Sequence, residues 1–532
     1  MSMKGTMTTF TALCGQTRRR GVAALLATAL LTGVADARPK DDGVVYFNVD
    51  AFDVTGENPL GRQETDALLA PYLGEQAGFL GLSNAAEVLE SAIRAKGYTF
   101  HRVIVPPQRA RGTIELRVLE FRIGDVIIEG NEHFDRENIL AMLPSLVPGE
   151  TPNSRALSRD MQRANQHPAK NLSLTMRPSD AEDRVDALVS VEDTSPHRFF
   201  ANANNWGSDS TGEARLALGY QYGNFLGRDH VVTATYTTSP KETDSVKQYG
   251  LTWQMPLYDR AASLTLLASY SDVDSGVVAD FFEVTGEGTV FGATLDHSLL
   301  NRGRYRHGLR AMIFDKAFDN AVDFLGQDIG TDLRSTPIGI GYRGAWVNER
   351  ASLGFTATYE RNAPIGRNND RDLYAQARTG ADTNWYAFRF NGFADYRISG
   401  PWLLRTRLNG QYAGQPLIPG EQFGLGGERS IRGFQQRVDA SDDGLSANVE
   451  LWLPRPTDST NVLLFLDGGV GTRHENLAGE EGTPTLLGTG IGLRWRQSRH
   501  FNASLDWAYV LEGTGETEDG DSRLHFNVTA MF

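Results

Sequence analysis

Residues 501–509 read Phe-Asn-Ala-Ser-Leu-Asp-Trp-Ala-Tyr, so apolar and polar side chains alternate along the stretch. Successive residues of a strand face opposite sides of a sheet. A period of two therefore predicts a β-strand with Leu505 and Trp507 on an apolar face and Asp506 on a polar one. The last stretch of the chain has the same alternation and ends on an aromatic residue, Phe532.

About 16 stretches of this kind follow one another from residue 197 to the end of the chain. We predict strands that begin near residues 197, 213, 229, 245, 260, 286, 304, 337, 350, 382, 402, 443, 459, 484, 500 and 522. An even number of antiparallel strands allows the sheet to close into a barrel with both chain ends on one side.

The connections between these stretches differ in length in a regular way. Several odd-numbered connections are long, at 272–285, 318–336, 362–381, 414–442, 470–483 and 511–521. The even-numbered ones are brief, such as Asn301-Arg302-Gly303 and Ile398-Ser399-Gly400. The strands of a soluble β-sandwich also alternate apolar and polar residues, but a sandwich does not require long loops at one end and short loops at the other. The pattern is typical of an outer-membrane β-barrel.

Composition narrows the function classes. The 532 residues carry a net charge of -14, which argues against nucleic acid as a partner, since binding it requires a basic surface. A hydrophobic content of 40% argues against disorder. No apolar run reaches 18 residues, and the mean hydropathy is -0.35, so no membrane-spanning helix is predicted. A membrane β-barrel is consistent with this mean hydropathy, because the apolar and polar residues that alternate along its strands give a polar average.

The N-terminus has the features of a signal peptide. Arg18-Arg19-Arg20 precedes a short apolar run that ends in Ala35-Asp36-Ala37, a small-x-small cleavage site. We predict a signal peptide over 1–37, cut between Ala37 and Arg38, in preference to a core helix. Cys14, the only cysteine, lies in this segment, so we expect no disulfide in the mature protein.

Residues 45–194 mix helical and strand patterns and read as two copies of one β-α-α-β-β plan. In the first copy we predict a strand at 45–49, helices at 62–73 and 85–96, and strands at 98–105 and 113–118. In the second copy we predict a strand at 124–129, helices at 136–143 and 154–165, and strands at 171–176 and 185–191. The predicted domains are a short segment at 38–44, α+β domains at 45–121 and 122–194, and an all-β barrel at 195–532.

Four motifs make the chain resemble the outer-membrane transporters of two-partner secretion. Pro106-Pro107-Gln108 with Gly112-Thr113-Ile114, and Asn165-Gln166-His167-Pro168 with Pro178, are similar to the signatures of that family's two POTRA domains. Residues 426–434, Gly-Gly-Glu-Arg-Ser-Ile-Arg-Gly-Phe, resemble its G-G-x-x-S-[VI]-R-G-[YF] loop. Residues 465–469, Phe-Leu-Asp-Gly-Gly, resemble its F-x-D-x-G strand. The resemblance covers about 43–532.

The resemblance implies a set of site residues. The lumen-loop motif is Ile431, Arg432, Gly433 and Phe434, and the barrel-wall motif is Phe465, Asp467 and Gly469. Asp467 is predicted to point inward, because Leu464 and Leu466 take the lipid face. An arginine partly withdrawn from water needs a carboxylate partner, and the resemblance implies that Arg432 pairs with Asp467. Spacing alone leaves open that Arg432 is a solvated loop residue and that Asp467 starts a turn.

The same resemblance implies a function. POTRA domains in the periplasm would bind an unfolded exoprotein by pairing with it at exposed sheet edges, and the barrel would pass it to the cell surface without ATP. The strands at 98–105 and 171–176 are the candidate edges, to be tested by proline at Val103 or Leu174.

The other expected partners are outer-membrane lipid and the barrel-assembly machinery, for which Phe532 resembles the C-terminal assembly signal. The family places a plug helix before its first POTRA domain, and the short segment 38–44 puts that helix in doubt.

Other classes of function are less well supported. A barrel-insertion factor of the same superfamily would have more POTRA units, and a passive channel would need none. GxSxG, HExxH and CxxC are missing from the sequence, so we predict no enzyme and no catalytic residue. The ten histidines have no metal-ligand spacing, and Gly488-Thr489-Gly490-Ile491-Gly492 lies in a strand pattern, so neither a metal nor a cofactor is predicted.

Overall fold

The computed structural model describes residues 46–109, 112–207, 212–243, 246–272, 275–278, 282–285, 288–318, 323–324, 327–328, 332–475, 482–498, 500–515 and 517–532. The predicted signal peptide, its cleavage between Ala37 and Arg38, and the segment 38–44 lie outside these residues. The chain divides into two compact units, Met1–Thr194 and Ser195–Phe532. None of the described helices is long and apolar enough to cross a membrane.

The N-terminal unit begins with a four-stranded α+β module. Its elements are β1 (Tyr46–Gly56), α1 (Arg62–Leu69), a 3-10 turn (Ala70–Tyr72), β2 (Gly74–Ala77), α2 (Gly78–Ala95), β3 (His101–Ile104) and β4 (Gly112–Glu120). The sheet order is β2-β1-β4-β3, with β1 and β4 parallel. In α2 the buried residues Ala85, Leu89 and Ile93 recur every four positions, which places them on the face that packs on Leu116 and Val118. Leu82, about one turn earlier, packs on Val49 and Ile114.

A second module completes the N-terminal unit. It comprises β5 (Arg122–Glu129), α3 (Arg136–Ala141), α4 (Ser154–Ala164), β6 (Lys170–Pro178) and β7 (Arg184–Asp193), with sheet order β5-β7-β6. Side chains fix both helix starts. Asp135 accepts a hydrogen bond from the Asn138 amide at α3, and Asn153 accepts two from Arg155 and Ala156 at α4.

The C-terminal unit is a closed antiparallel barrel. Its strands are β8 (His197–Asn204), β9 (Arg215–Phe225), β10 (His230–Thr238), β11 (Gln248–Leu257), β12 (Ala262–Ser271), β15 (Gly288–Ser298), β16 (Tyr305–Phe318), β19 (Leu333–Ser335), β20 (Pro337–Val347), β21 (Ala351–Asn362), β22 (Tyr386–Ser399), β23 (Trp402–Tyr412), β26 (Asp443–Trp452), β27 (Thr460–Thr472), β28 (Thr485–Arg496), β29 (Phe501–Glu512) and β30 (Ser522–Met531). Since β19 and β20 both pair with β16, they fill one strand position, and the barrel has 16 strands.

The remaining elements lie in the connections. Three hairpins are formed by β13 (Ser275–Val278) with β14 (Phe282–Thr285), β17 (Asp323–Phe324) with β18 (Gln327–Asp328), and β24 (Phe423–Leu425) with β25 (Asp439–Ser441). Helix α5 spans Arg371–Ala377, and 3-10 turns span Tyr258–Arg260 and Pro419–Glu421.

The barrel closes where β30 pairs with β8. Their register runs from Asn527 opposite Asn204 to Met531 opposite Phe200. Beyond it, the backbones of Phe532 and Phe199 exchange two hydrogen bonds, of 2.8 and 3.0 Å between nitrogen and oxygen. The last residue, Phe532, therefore completes the seam.

The predicted fold class is confirmed, including the number of barrel strands and the alternation that indicated them. Leu505 and Trp507 lie on the outer wall, where they are exposed, while Asp506 is buried inside. In the first module β2 was not predicted, and α2 begins seven residues before its predicted start at residue 85. The intervening Gly-Glu-Gln-Ala-Gly-Phe-Leu-Gly has neither clear periodicity nor a polar capping residue before Gly78.

A closed ladder predicts heat-modifiable migration. Detergent at room temperature leaves a closed barrel folded, because every strand is paired on both sides and no free edge exists from which to unzip it. We expect the full-length protein to migrate at one position when unheated in SDS and at a different one after boiling. Identical migration of the two samples in gel electrophoresis would contradict closure.

Candidate functional site

The connection 413–442 between β23 and β26, here called the lumen loop, folds into the barrel. Its tip, residues 426–434, contains Ile431 and Phe434, and both are fully buried. They form an apolar cluster with Leu425 of the loop and with Leu486 and Val510 of the barrel wall. Leu511 is exposed on the outer wall, so the alternation of β29 places Val510 inside. The tip therefore packs on the inner surface of the barrel.

Arg432 of the tip binds the barrel wall through both its side chain and its backbone. Its Nε donates to Asp467 Oδ2 at 2.6 Å and its Nη2 donates to Oδ1 at 2.8 Å, which is a bidentate pair. The Arg432 backbone N–H also donates to Oδ2, at 3.2 Å. Arg432 is 2% exposed and Asp467 is not exposed at all. The structure thus brings together the two residues for which the family resemblance implied a pair.

Further wall residues around Arg432 were not singled out from the sequence. Its Nη1 donates to Glu450 Oε1 at 3.0 Å and lies 3.6 Å from Asp506 Oδ2. Arg494 makes a second bidentate pair with Asp506, at 2.6 and 2.9 Å. The guanidinium groups of Arg432 and Arg494 therefore share three carboxylates, and every one of these five charged groups has an oppositely charged partner inside the lumen. Alternation shows only that Glu450 and Asp506 point inward, so the sequence could not assign them to Arg432.

The residues of the barrel-wall motif have separate roles. The Phe465 ring lies under the Arg432 guanidinium, with 3.6 Å between the guanidinium carbon and the ring centroid, which is a cation–π contact. Gly469 leaves room for the tip, because a Cβ there would lie 2.4 Å from Ile431 Cδ1. Gly488 on β28 does the same for the tip backbone, since a Cβ would lie 2.2 Å from the Arg432 carbonyl oxygen.

Two more polar contacts fix the backbone of the tip. Gly433 N–H donates to His525 Nε2 at 3.0 Å, and Asn448 Nδ2 donates to the Ser430 carbonyl at 2.5 Å. Gly433 has φ 105°, a left-handed conformation that a side chain would strain. The tip is therefore bound through its backbone as well as through Arg432.

A second group of buried charges holds the stem of the lumen loop. Glu421 is buried; Lys316 Nζ donates to its Oε2 at 2.9 Å and Arg389 Nη2 donates to the same atom at 3.1 Å. Gln411 Nε2 donates to the Glu421 carbonyl at 3.0 Å. Arg389 also pairs with Glu360. This site carries no motif that the sequence analysis used, and only the fold brings its residues together.

A third group joins the lumen loop to two other connections. Asp442, at the end of the loop, pairs with Arg378 from the 363–385 connection. The His474 amide, in the connection after β27, donates to Asp442 Oδ2 at 2.8 Å. The Arg378 guanidinium in turn donates to the His474 carbonyl at 3.2 Å. The three long connections thus meet on one carboxylate.

Within the described part of the chain, no three His, Cys, Asp or Glu side chains are grouped so that they could hold a metal ion. Gly488, Gly490 and Gly492 all lie on β28, where they face the lumen. The geometry therefore describes a barrel whose lumen contains a loop bound by buried ion pairs.

Comparison with known proteins assigns a family. Residues 185–495, more than half of the chain, match the family model described as haemolysin secretion/activation protein ShlB/FhaC/HecB, and residues 47–120 match the POTRA domain, ShlB-type. The heme/hemopexin transporter protein HuxB of Haemophilus influenzae strain ATCC 51907 is 20% identical over 463 residues, with 85% of this chain and 81% of that protein covered.

The outer membrane transporter CdiB of Escherichia coli O6:K15:H31 is 22% identical over 479 residues, with 87% and 79% covered. The solved structure of CdiB from Escherichia coli superimposes with a TM-score of 0.77 at 19% identity, and 95% of each chain is covered. That likeness concerns the fold. On the family match, the chain belongs to the haemolysin secretion/activation proteins of the ShlB/FhaC/HecB family, the outer-membrane transporters of two-partner secretion.

Proposed function

We propose that this protein binds an unfolded exoprotein in the periplasm through its N-terminal modules and passes it through the barrel, with the lumen loop as the gate. The gating proposal is supported by one observation, which is that Arg432 is buried among Asp467, Glu450 and Asp506 inside the barrel. The tip occupies space in the lumen that a translocating chain needs. It must therefore leave these carboxylates, or shift along them, during each transport event.

The energetics favour a gate that is stable at rest. A buried ion pair contributes little net stability, but separating its partners leaves an uncompensated charge at a cost of about 3–5 kcal/mol. The wall offers three carboxylates, so Arg432 can exchange one for another while it moves. Because the periplasm holds no ATP, we propose that folding of the exoprotein outside the cell drives transport.

Capture by edge pairing is restricted by side chains that already occupy parts of the edges. At β3 the Val103 N–H donates to Glu90 Oε2, at 3.1 Å. At β6 the Asn165 side chain both accepts from Leu172 N–H, at 2.6 Å, and donates to its carbonyl, at 2.9 Å. Such cover protects a sheet edge from unwanted pairing. Val103 and Leu174 are also buried, so proline there would damage the core as well as the edge.

The free part of the β6 edge lies further along the strand. The β6–β7 register is regular, so Leu174 and Met176 direct their backbone groups to the same side as Leu172, away from β7. Met176 is only partly buried. We propose residues 174–176 as the segment of the second module that pairs with an extended exoprotein.

The other expected partners remain proposals. The outer wall, with Leu505 and Trp507 exposed, is suited to outer-membrane lipid. The barrel-assembly machinery would recognise the strand that ends at Phe532. The alternatives of a barrel-insertion factor and a passive channel lack a specific supporting observation, and the residues of the gate give no indication of enzymatic activity.

Removing either partner of the gate pair should abolish export. We expect Arg432→Ala and Asp467→Ala each to block secretion of the cognate exoprotein while the barrel still assembles, because the strand ladder does not depend on this contact. The double variant should be little worse than either single one, since the two residues act as a unit. Secretion is measured at matched outer-membrane levels.

The matched control is Arg310→Ala, which removes another bidentate pair of the lumen wall, with Asp296 at 3.0 and 3.1 Å. That pair joins β15 to β16, whereas the described polar contacts of Arg432 and Gly433 are made to β26, β27, β29 and β30. Export should persist in this variant. Normal export by Arg432→Ala or Asp467→Ala would refute the proposed gate.

Weakening the stem of the loop should make the pore leak. Glu421→Gln removes the carboxylate that Lys316 and Arg389 share. Removing one partner of a buried ion pair typically destabilises the local structure by about 3–5 kcal/mol, because the remaining charge is left uncompensated. We expect a several-fold increase in open-channel events in planar lipid bilayers while the Arg432 pair is intact. Asp296→Asn, which neutralises a carboxylate that Arg310 and Arg343 share on the lumen wall, serves as the control. Unchanged conductance would show that Glu421 does not help to close the lumen.

Capture can be tested apart from gating. Met176→Pro removes an edge N–H without emptying a fully buried position, and should weaken binding of the unfolded exoprotein at least several-fold. Met176→Leu keeps the N–H and is expected to bind normally. Binding is measured with purified full-length protein, and circular dichroism verifies the fold. Equal binding by both variants would exclude this edge.

A further inference from the structure

The outer wall of the barrel has a depression across β11, β12, β15 and β16. Leu251, Phe291 and Ile313 stand on this wall and are about half exposed. The registers pair Ala268 with both Leu251 and Phe291, and Ala293 with both Leu266 and Ile313. Alanines therefore form the floor, and large apolar side chains form the sides. The cavity has a volume of about 620 Å³, within the range of about 300–1,000 Å³ that ligand sites occupy.

The depression has a roof of fixed structure. Ile365 and Gly366, in the connection after β21, line its upper end. Two backbone hydrogen bonds tie residues 363–368 to β19 and to the residue between β19 and β20. Ala363 N–H donates to the Thr336 carbonyl at 3.0 Å, and Arg334 N–H donates to the Asn368 carbonyl at 2.8 Å. Asn369 Nδ2 also donates to the Ile365 carbonyl, at 3.3 Å. The cavity is therefore built into the wall.

The depression lies at the extracellular end of the lipid-facing surface. The long connections are on that side, because the chain reaches β8 from the periplasmic modules and each odd-numbered connection is then extracellular. Tyr249 and Tyr270 pair one row above Leu251 and Ala268, and tyrosines form a girdle at the membrane interface. The apolar cavity thus lies at the depth of the outer-leaflet acyl chains.

Positive charge surrounds its upper end. Arg334 lines the cavity and makes a bidentate pair with Asp315. Arg361 lies in the row of Ile313 and Ile338, two strands beyond Ile313 and hence about 10 Å away. Arg367 follows Gly366 directly. Arg361 and Arg367 are exposed, and neither has an ion-pair partner among the described residues. The upper end of the cavity therefore has an excess of positive charge, because Arg334, Arg361 and Arg367 lie near the single carboxylate of Asp315.

We propose that this wall depression binds a phosphorylated, multiply acylated saccharolipid of the outer leaflet, the lipid A type. One acyl chain fills the cavity between Phe291 and Ile313 beneath the Ile365 roof, and Arg361 and Arg367 bind the phosphates. Arginine is suited to phosphate because its planar fork matches two phosphate oxygens. The site would hold the 363–385 connection, and through Arg378 the end of the lumen loop, against the membrane surface.

Binding is tested with purified, delipidated full-length protein in detergent and with lipid A as the probe, by native mass spectrometry. Ala293→Trp fills the floor, and Arg361→Gln with Arg367→Gln removes the phosphate ligands. Each variant should bind at least tenfold more weakly than the natural chain. Lipid A without phosphates should also bind the natural chain at least tenfold more weakly.

Two matched variants control for the substitutions. Ala447→Trp adds the same ring to an outward-facing alanine on β26, and Arg260→Gln removes an exposed arginine from the turn at the opposite end of β11 and β12. Both should bind lipid A like the natural chain. Undiminished binding by Ala293→Trp or by the double arginine variant would overturn the proposal. Equal binding of phosphatidylglycerol would also overturn it, since the site would then accept any anionic lipid.

Discussion

The structure depends on one constraint, which is that every backbone N–H and C=O group inside hydrocarbon needs a partner from the chain itself. A sheet meets this condition only when it closes, and here closure rests on the pairing of β30 with β8, completed by Phe532 and Phe199. Closure creates an inside and an outside. The period of two along each strand then sends apolar side chains to lipid and polar ones to the lumen.

A closed barrel of 16 strands would leave an open pore, and the lumen loop fills part of it. The physical difficulty is to keep a loop inside a polar lumen that could also hold water. The chain meets it with charges that are buried and compensated. Arg432 lies among Asp467, Glu450 and Asp506 at the tip, and Glu421 lies between Lys316 and Arg389 at the stem. Such pairs bind the loop at defined positions, and the presence of several carboxylates around Arg432 suits the gating role that we propose.

The sequence predicted the barrel well because each strand carries its own signal. The predicted and observed strand starts differ by at most four residues, and the long connections are the odd-numbered ones, as predicted. Local patterns were less informative in the N-terminal unit. There β2 has only four residues and no alternation, and α2 starts at Gly78, which no Ser, Thr, Asp or Asn directly precedes in the sequence. A strand of this kind is defined by its pairing with β1, which no local pattern encodes.

The sequence by itself determined the barrel, the two α+β modules, the inward direction of Asp467 and, through the family resemblance, its pairing with Arg432. Only the tertiary structure decided that Glu450, Asp506 and Phe465 surround the same guanidinium, that Glu421 binds Lys316 from a strand more than a hundred residues earlier, and that Asn165 and Glu90 cover the module edges. The reason is that alternation fixes which way a side chain points. Its partner depends on strand register, barrel closure and the path of a folded-in loop, all of which arise from contacts between residues far apart in the chain.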